Sequence, residues 1–244
     1  MPASRGISQG AGIAPAILER AVCAVAANIA PKPHSKTTHR ISERHAFVEL
    51  AACILGSRVK FEDALAAALR LRKFDLIEAL SARTSRSNLL REVRKVVRGG
   101  EAESGLSVPR YRFWSSRSEY IVDTALCLYL RGEGILPLLK RVDSQQEARK
   151  IIVSVSRGIG PKQASLFLRN MGRGNELAIL DAHVLNFMIH LGLLHKMPSH
   201  LSSFGTYEKI EQVLRTYAQA IGWTLDVLDQ AIWITMRVAR SSSV

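Results

Sequence analysis

From Ile41 onward the apolar residues recur at helical spacing, and no stretch of any length alternates as a strand would. That periodicity predicts helices at about 43–56, 59–71, 84–98, 115–130, 143–156, 161–171, 182–193, 206–221 and 224–239. The breaks between them carry stop signals: Gly99-Gly100, Ser107 to Pro109, Gly132 to Gly134, Gly172 to Gly174 and Pro198. The fold class expected is all-α with short loops. Residues 1–42 read as an N-terminal extension: a flexible start, one alanine-rich helix ("PAILERAVCAVAANIA") and a basic linker, "PKPHSKTTHR", whose two prolines cannot continue that helix. Residues 43–244 form the main domain.

The break at "RGIGPKQASLFLRNMG" is unlike the others. "EARKIIVSVS" before it is helical in pattern, and after it Ala164, Phe167, Leu168 and Met171 form a core stripe. The reading is a helix-hairpin-helix near 150–171. Gly158 and Gly160 allow a tight turn and close approach, and Pro161 suits the first helical position. Such a turn points backbone N–H groups outward at a helix N-terminus, where a phosphate binds without regard to base sequence.

The charge balance agrees with a polyanionic partner. Lys and Arg number 34 against 21 Asp and Glu, a formal net charge of +13. Arg91, Arg94, Lys95 and Arg98 would share one helix face, either a solvated stripe or an edge that tracks phosphates. Metal chemistry finds no framework. Cys23, Cys53 and Cys127 are scattered, there is no C-x-x-C or H-E-x-x-H, and His183 and His190 lack a third ligand. The apolar run "AVCAVAA" is too short to span a bilayer. A soluble intracellular protein of cytoplasm or nucleoid is expected, with no membrane partner.

Lys162 stands in the first turn of its helix, on the side away from the apolar stripe, with Ser165 and Arg169. The positive end of the helix dipole disfavours a second positive charge there, and a neutral lysine amine is a nucleophile. Nineteen residues later the apolar run Leu177 to Leu180 meets Asp181, either the N-cap of the next helix or an acid facing the lysine across a cleft.

"GIGPKQASLFLRNMG" and "LAILDAHVL" together resemble the signature of helix-hairpin-helix DNA glycosylases, in particular the archaeal-type 8-oxoguanine DNA glycosylase/lyases. "ELAACILGSRVKFEDAL" (49–65), "YRFWSSRSEYIV" (111–122), "YEKIE" (207–211) and "LDQAIW" (228–233) extend the resemblance over about residues 43–235. It implies two helical subdomains with a cleft between them, and a double-stranded DNA partner containing a damaged base that is flipped into that cleft. It implies a bifunctional glycosylase/AP lyase working through a lysine Schiff base without a cofactor or metal, most simply on 8-oxoguanine. Lys162 and Asp181 would be the catalytic pair. Phe113 and Trp233 would stack on the base with Asp229 nearby, and Gly158, Gly160 and Arg157 would hold the DNA backbone. A monomer is expected of an enzyme that scans DNA.

Four positions depart from the family pattern. Leu166 replaces a histidine and Ala182 an arginine. Arg58, in "CILGSR", replaces the asparagine of "CILTAN". "MRVARSSSV" carries no counterpart of the archaeal T-G-x-x-x-K tail. Base-reading positions differ while the lysine–aspartate pair is kept, so a glycosylase for another modified base, in repair or in defence against foreign DNA, stays open. So does a non-catalytic helix-hairpin-helix DNA-binding protein.

Overall fold

The structure, a computed structural model, describes residues 14–30, 41–82, 85–99 and 110–241. The start "MPASRGISQGAG", the linker 31–40, the first residue of the 84–98 helix and the breaks at Gly100 and 107–109 lie outside the described residues. Twelve α-helices are present among those described: α1 (Pro15–Ile29), α2 (Glu43–Leu55), α3 (Phe61–Lys73), α4 (Leu76–Ser81), α5 (Arg86–Arg98), α6 (Trp114–Ala125), α7 (Ile135–Lys140), α8 (Gln145–Val155), α9 (Pro161–Asn170), α10 (Ala182–His190), α11 (Phe204–Ala220) and α12 (Leu225–Ser241). No strand occurs among them. Two helices were not foreseen. α4 and α7 have six residues each, too few to show a period, and α7 contains Pro137. The helix expected over 115–130 is α-helical only to Ala125 and continues as a π-helical turn, Leu126–Leu130.

Capping explains the helix starts. Ser42, Asp75, Ser85, Ser144, Asp181 and Ser203 each accept an N–H of the first turn that follows. α1, α3, α6, α7 and α9 start without a side-chain cap; at α9 the N-cap residue is Gly160.

The helices enclose two cores. The first runs from Ala46 to Leu177 and includes Leu50, Ile54, Val93, Ile121, Ile152, Phe167 and Leu168. The second joins Leu18, Val22 and Ala26 of α1 to Phe187, Met188, Tyr207, Leu214, Leu228 and Ile232. α1 is therefore not a loose appendage. It closes the second core, and Glu19 accepts the Tyr217 hydroxyl at 2.8 Å.

α9 lies between the two subdomains. Its expected stripe faces the first core. Its polar side is buried as well: Ser165 is fully buried and accepts from Arg149 Nη1 at 3.3 Å. Arg149, itself wholly buried on α8, makes two bonds to Glu211 of α11, at 2.7 and 3.0 Å, and stacks on Tyr207. Removing one member of a buried ion pair leaves the other charge uncompensated, at a cost of about 3–5 kcal/mol. Glu211→Ala is thus expected to lower the unfolding free energy by about that amount in a urea titration; a loss under about 1 kcal/mol would mean that Glu208, 3.7 Å from Arg149, takes over the pairing.

Candidate active site at the seam of the two subdomains

The two predicted catalytic residues sit at the starts of adjacent helices. Lys162 is the second residue of α9, half-buried, and forms no ion pair or hydrogen bond among the described residues. Asp181 caps α10: its Oδ1 accepts from the N–H groups of His183 and Val184 at 2.8 and 2.9 Å, and its Oδ2 accepts none among the described residues. The cap reading of Asp181 is therefore correct, and one carboxylate oxygen is still uncommitted. The two residues do not pair with each other.

α9 also carries an ion pair to α12. Arg169, seven residues after Lys162, is ion-paired with Asp229 of α12. Burial pushes Asp229 up to about 7; Arg169 and the Ile179 amide pull the other way, and Asp226 and Asp181 add to the rise. Burial, with Glu49 beside it, pushes the Cys53 thiol up to about 12, opposed by Arg169 and Lys162. Asp181 thus lies near the Arg169–Asp229 pair, while Lys162 and Arg169 both lie near Cys53. Next to Lys162, Gln163 donates from Nε2 to the Cys53 carbonyl at 3.2 Å, while its buried Oε1 has no partner among the described residues.

What places Asp181 is the segment before it. Residues 177–180 lie in neither helix nor strand and are buried, so their backbone groups lack helix or sheet partners. Side chains satisfy them. Ala178 N–H donates to Glu211 at 2.9 Å, and the Ala178 carbonyl accepts the Tyr207 hydroxyl at 2.7 Å. Ile179 N–H donates to Asp229 Oδ2 at 2.8 Å, and Leu180 N–H to the Tyr207 oxygen at 3.1 Å.

The predicted base-binding residues divide between the subdomains. Phe113 precedes α6 and packs partly against the first core, with Arg112 and Arg117 at 5.0 and 6.0 Å from its ring centre. Trp233 is 40 % exposed on α12, edge-on to His183 at 6.3 Å and covered by Arg237 at 5.0 Å. The two rings are not in contact. Asp229 is 2 % exposed, with both oxygens engaged. Of the departures from the family pattern, Leu166 packs on the first core and Ala182 is exposed. Arg58 adopts φ 62°, the only left-handed non-glycine among the described residues.

The hairpin glycines serve different ends. Gly158 has φ 80°, and a Cβ there would lie 2.3 Å from the Tyr120 ring. The turn is thus pressed flat on α6. Gly160 is extended, and a Cβ on it would meet nothing within 4 Å. That open face, with the uncapped N–H groups of α9 behind it, suits an incoming anion. Arg157 stacks on Tyr120 at 4.9 Å, donates its N–H to Thr124 at 3.0 Å and pairs with Asp123 at 2.5 Å. Asp123 also takes Arg86 at 2.7 Å. Burial opposes ionisation of Asp123, but those two arginines outweigh it and hold the carboxyl below its usual range. The expected basic stripe on α5 is largely compensated. Arg91 and Lys95 share Glu92, Arg94 pairs with Glu119, and Arg98 covers Trp114.

Sequence reasoning missed the parts of Arg149, Tyr207, Glu211 and Tyr120. Arg169 alone left a signal, as the third polar residue on the Lys162 face.

Comparison with known proteins is consistent across sequence and fold. The family model described as 8-oxoguanine DNA glycosylase matches residues 30–223. An 8-oxoguanine DNA glycosylase/AP lyase of Fusobacterium nucleatum is 29 % identical over 187 residues, 76 % of this chain and 77 % of its own. One of Metallosphaera sedula is 32 % identical over 196 residues, 80 % and 83 %. The crystal structure of the 8-oxoguanine DNA glycosylase of Methanocaldococcus jannaschii is similar with a TM-score of 0.60 at 25 % identity, covering 89 % of this chain and 85 % of that one.

Two substitutions separate the glycines. Gly158→Ala forces a left-handed alanine against Tyr120 and is expected to cost about 1–3 kcal/mol of stability. Gly160→Ala should leave the melting temperature near wild type and weaken DNA binding, checked by thermal melts and fluorescence anisotropy side by side. Asp229 makes a second prediction. Between about pH 4 and about 7 the folded protein keeps a proton on Asp229 that the unfolded chain has released, so this group's contribution to stability falls as pH rises through that window. Urea titrations across that range should show a steeper decline for wild type than for Asp229→Asn; parallel profiles would mean the carboxyl titrates normally.

Proposed function

The chain belongs to the 8-oxoguanine DNA glycosylase family, and from that we propose that it removes 8-oxoguanine from double-stranded DNA and nicks the strand at the resulting abasic site. The observation that carries the chemistry is a half-buried Lys162, without a partner among the described residues, at the start of the helix whose Arg169 pairs with Asp229 near Asp181. In this reading the Lys162 amine attacks C1′ of the flipped nucleotide while the bond to the base breaks and the base departs. The free oxygen of Asp181 stabilises the charge developing on the sugar and exchanges the proton the amine must lose. Opening of the sugar ring gives a protonated imine. Removal of a C2′ proton then breaks the C3′–O bond, which cuts the strand, and water hydrolyses the imine to free the lysine.

Phe113 and Trp233 are read as stacking surfaces for the flipped base. Asp229 supports that pocket from beneath, through Arg169 and the Ile179 amide. Gly160 and the start of α9 take a backbone phosphate, while Gly158 and Arg157 fix the turn on Tyr120. The functional unit is residues 43–244 together with α1, which completes the second core. It acts as a monomer on intracellular DNA in the nucleoid; no helix among the described residues is long and apolar enough to cross a membrane. One observation favours a second reading, a glycosylase for a different modified base: Leu166, Ala182 and the left-handed Arg58 alter the surroundings of an intact catalytic pair.

Borohydride reduction of reactions on duplexes with 8-oxoguanine, an abasic site, another modified base or no lesion tests both readings. A covalent adduct on 8-oxoguanine that disappears in Lys162→Gln, with DNA binding retained, is expected. Trapping only on the other modified base would favour the second reading, and no adduct on any duplex would leave a non-catalytic DNA-binding protein.

A further inference from the structure

Around the hairpin, most guanidinium groups have an acid. Arg94 has Glu119, and Arg86 and Arg157 share Asp123. Arg117, on α6 with those acids, makes no ion pair among the described residues. Rings and a phenol hold it instead: its guanidinium lies 5.3 Å from the centre of Tyr120 and 6.0 Å from that of Phe113, and it interacts with the hydroxyl of the buried Tyr111. Its Nε is buried without a hydrogen-bond partner among the described residues. Nη1 stands 3.2 Å from where a Cβ on Gly158 would be. The group is therefore packed against the turn that leads to the open face of Gly160 and the uncapped start of α9.

An arginine held by aromatic faces keeps its planar fork of donors oriented, and its weak hydration makes partial burial tolerable. A cation fixed in that way, without a carboxylate, beside a helix N-terminus is one half of an anion site. The two halves come from different elements, α6 and α9, and meet at Gly158. Phosphate oxygens fit the fork in pairs. We propose that Arg117 is a DNA-phosphate ligand that works with the hairpin, so that α6 and the N-terminus of α9 grip adjoining parts of the strand backbone. This rests on the reading of the chain as a DNA glycosylase. Because the same guanidinium touches Phe113, a bound phosphate would also fix the ring on which the base is read to stack.

The test is affinity for a duplex carrying a tetrahydrofuran abasic analogue, measured over a range of salt for wild type, Arg117→Ala and Arg117→Lys, with thermal melts of each. Arg117→Ala is expected to bind about tenfold more weakly or worse. Its plot of log affinity against log salt should be shallower by about 0.9, one phosphate contact. Arg117→Lys should restore the slope, because it keeps the charge. A wild-type slope in Arg117→Ala, with a lowered melting temperature, would overturn the proposal and leave Arg117 as packing for Tyr120 and Phe113. An unchanged slope with an altered ranking of the four bases opposite the analogue would overturn it too, since the fork would then read a base edge. The analogue removes base excision from the measurement. A wild type that binds with a steep salt slope but never releases 8-oxoguanine would refute the glycosylase reading while the Arg117 result stood.

Discussion

The buried irregular run at Ala178 to Leu180 is the constraint on which the arrangement depends. Its backbone polar groups are buried, and no helix or sheet is there to take them. Each left unpaired would cost about 1–3 kcal/mol. The chain meets the need with Glu211, Tyr207 and Asp229, and each of these is held in turn, Glu211 by Arg149 and Asp229 by Arg169. The buried charges therefore serve a backbone that could not otherwise be buried. The result is a rigid approach to Asp181, whose position is set from α8, α9, α11 and α12 together.

The same accounting sorts the positive charge. Much of what looks like a basic surface in the sequence is internal compensation. Arg91 and Lys95 are tied to Glu92, Arg94 to Glu119, and Arg86 and Arg157 to Asp123. Surface pairs of that kind contribute little to stability, about 0–1 kcal/mol each. They do lower the local field that a polyanion would meet. The excess of basic residues thus has to act through groups left without an acid, and Lys162 and Arg117 are two of these among the described residues.

Legibility followed periodicity. The long helices, the α9 core stripe and the Asp181 cap each have a local cause, an apolar spacing or a capping side chain, and each can be read from a few neighbouring residues. α4 and α7 are too short for a period to appear. The sequence places Lys162, Ser165 and Arg169 opposite the apolar stripe of α9; that Ser165 is buried and Arg169 paired follows only from Arg149 and Asp229, 16 and 60 residues away. Gly158 was legible as a turn glycine, but not as one pressed on Tyr120, since that contact joins residues far apart in sequence. At the site, residue types were readable and mutual placement was not. Placement is decided by long-range ion pairs, and single residues give no sign of them.

The second core has one further consequence. It is closed by α1 and α12, the first and last of the described helices, while the first core draws on a continuous stretch from Ala46 to Leu177. During synthesis the first subdomain can collapse as soon as its own residues have emerged. Leu18, Val22 and Ala26 must wait, with their apolar faces uncovered, until α10, α11 and α12 have left the ribosome. Ordering over so long a separation is slow, because loop closure has to precede the contacts that reward it. The Asp181 side of the seam is therefore assembled last, and a chain interrupted before α12 would carry a formed hairpin and Lys162 with no second wall to face them.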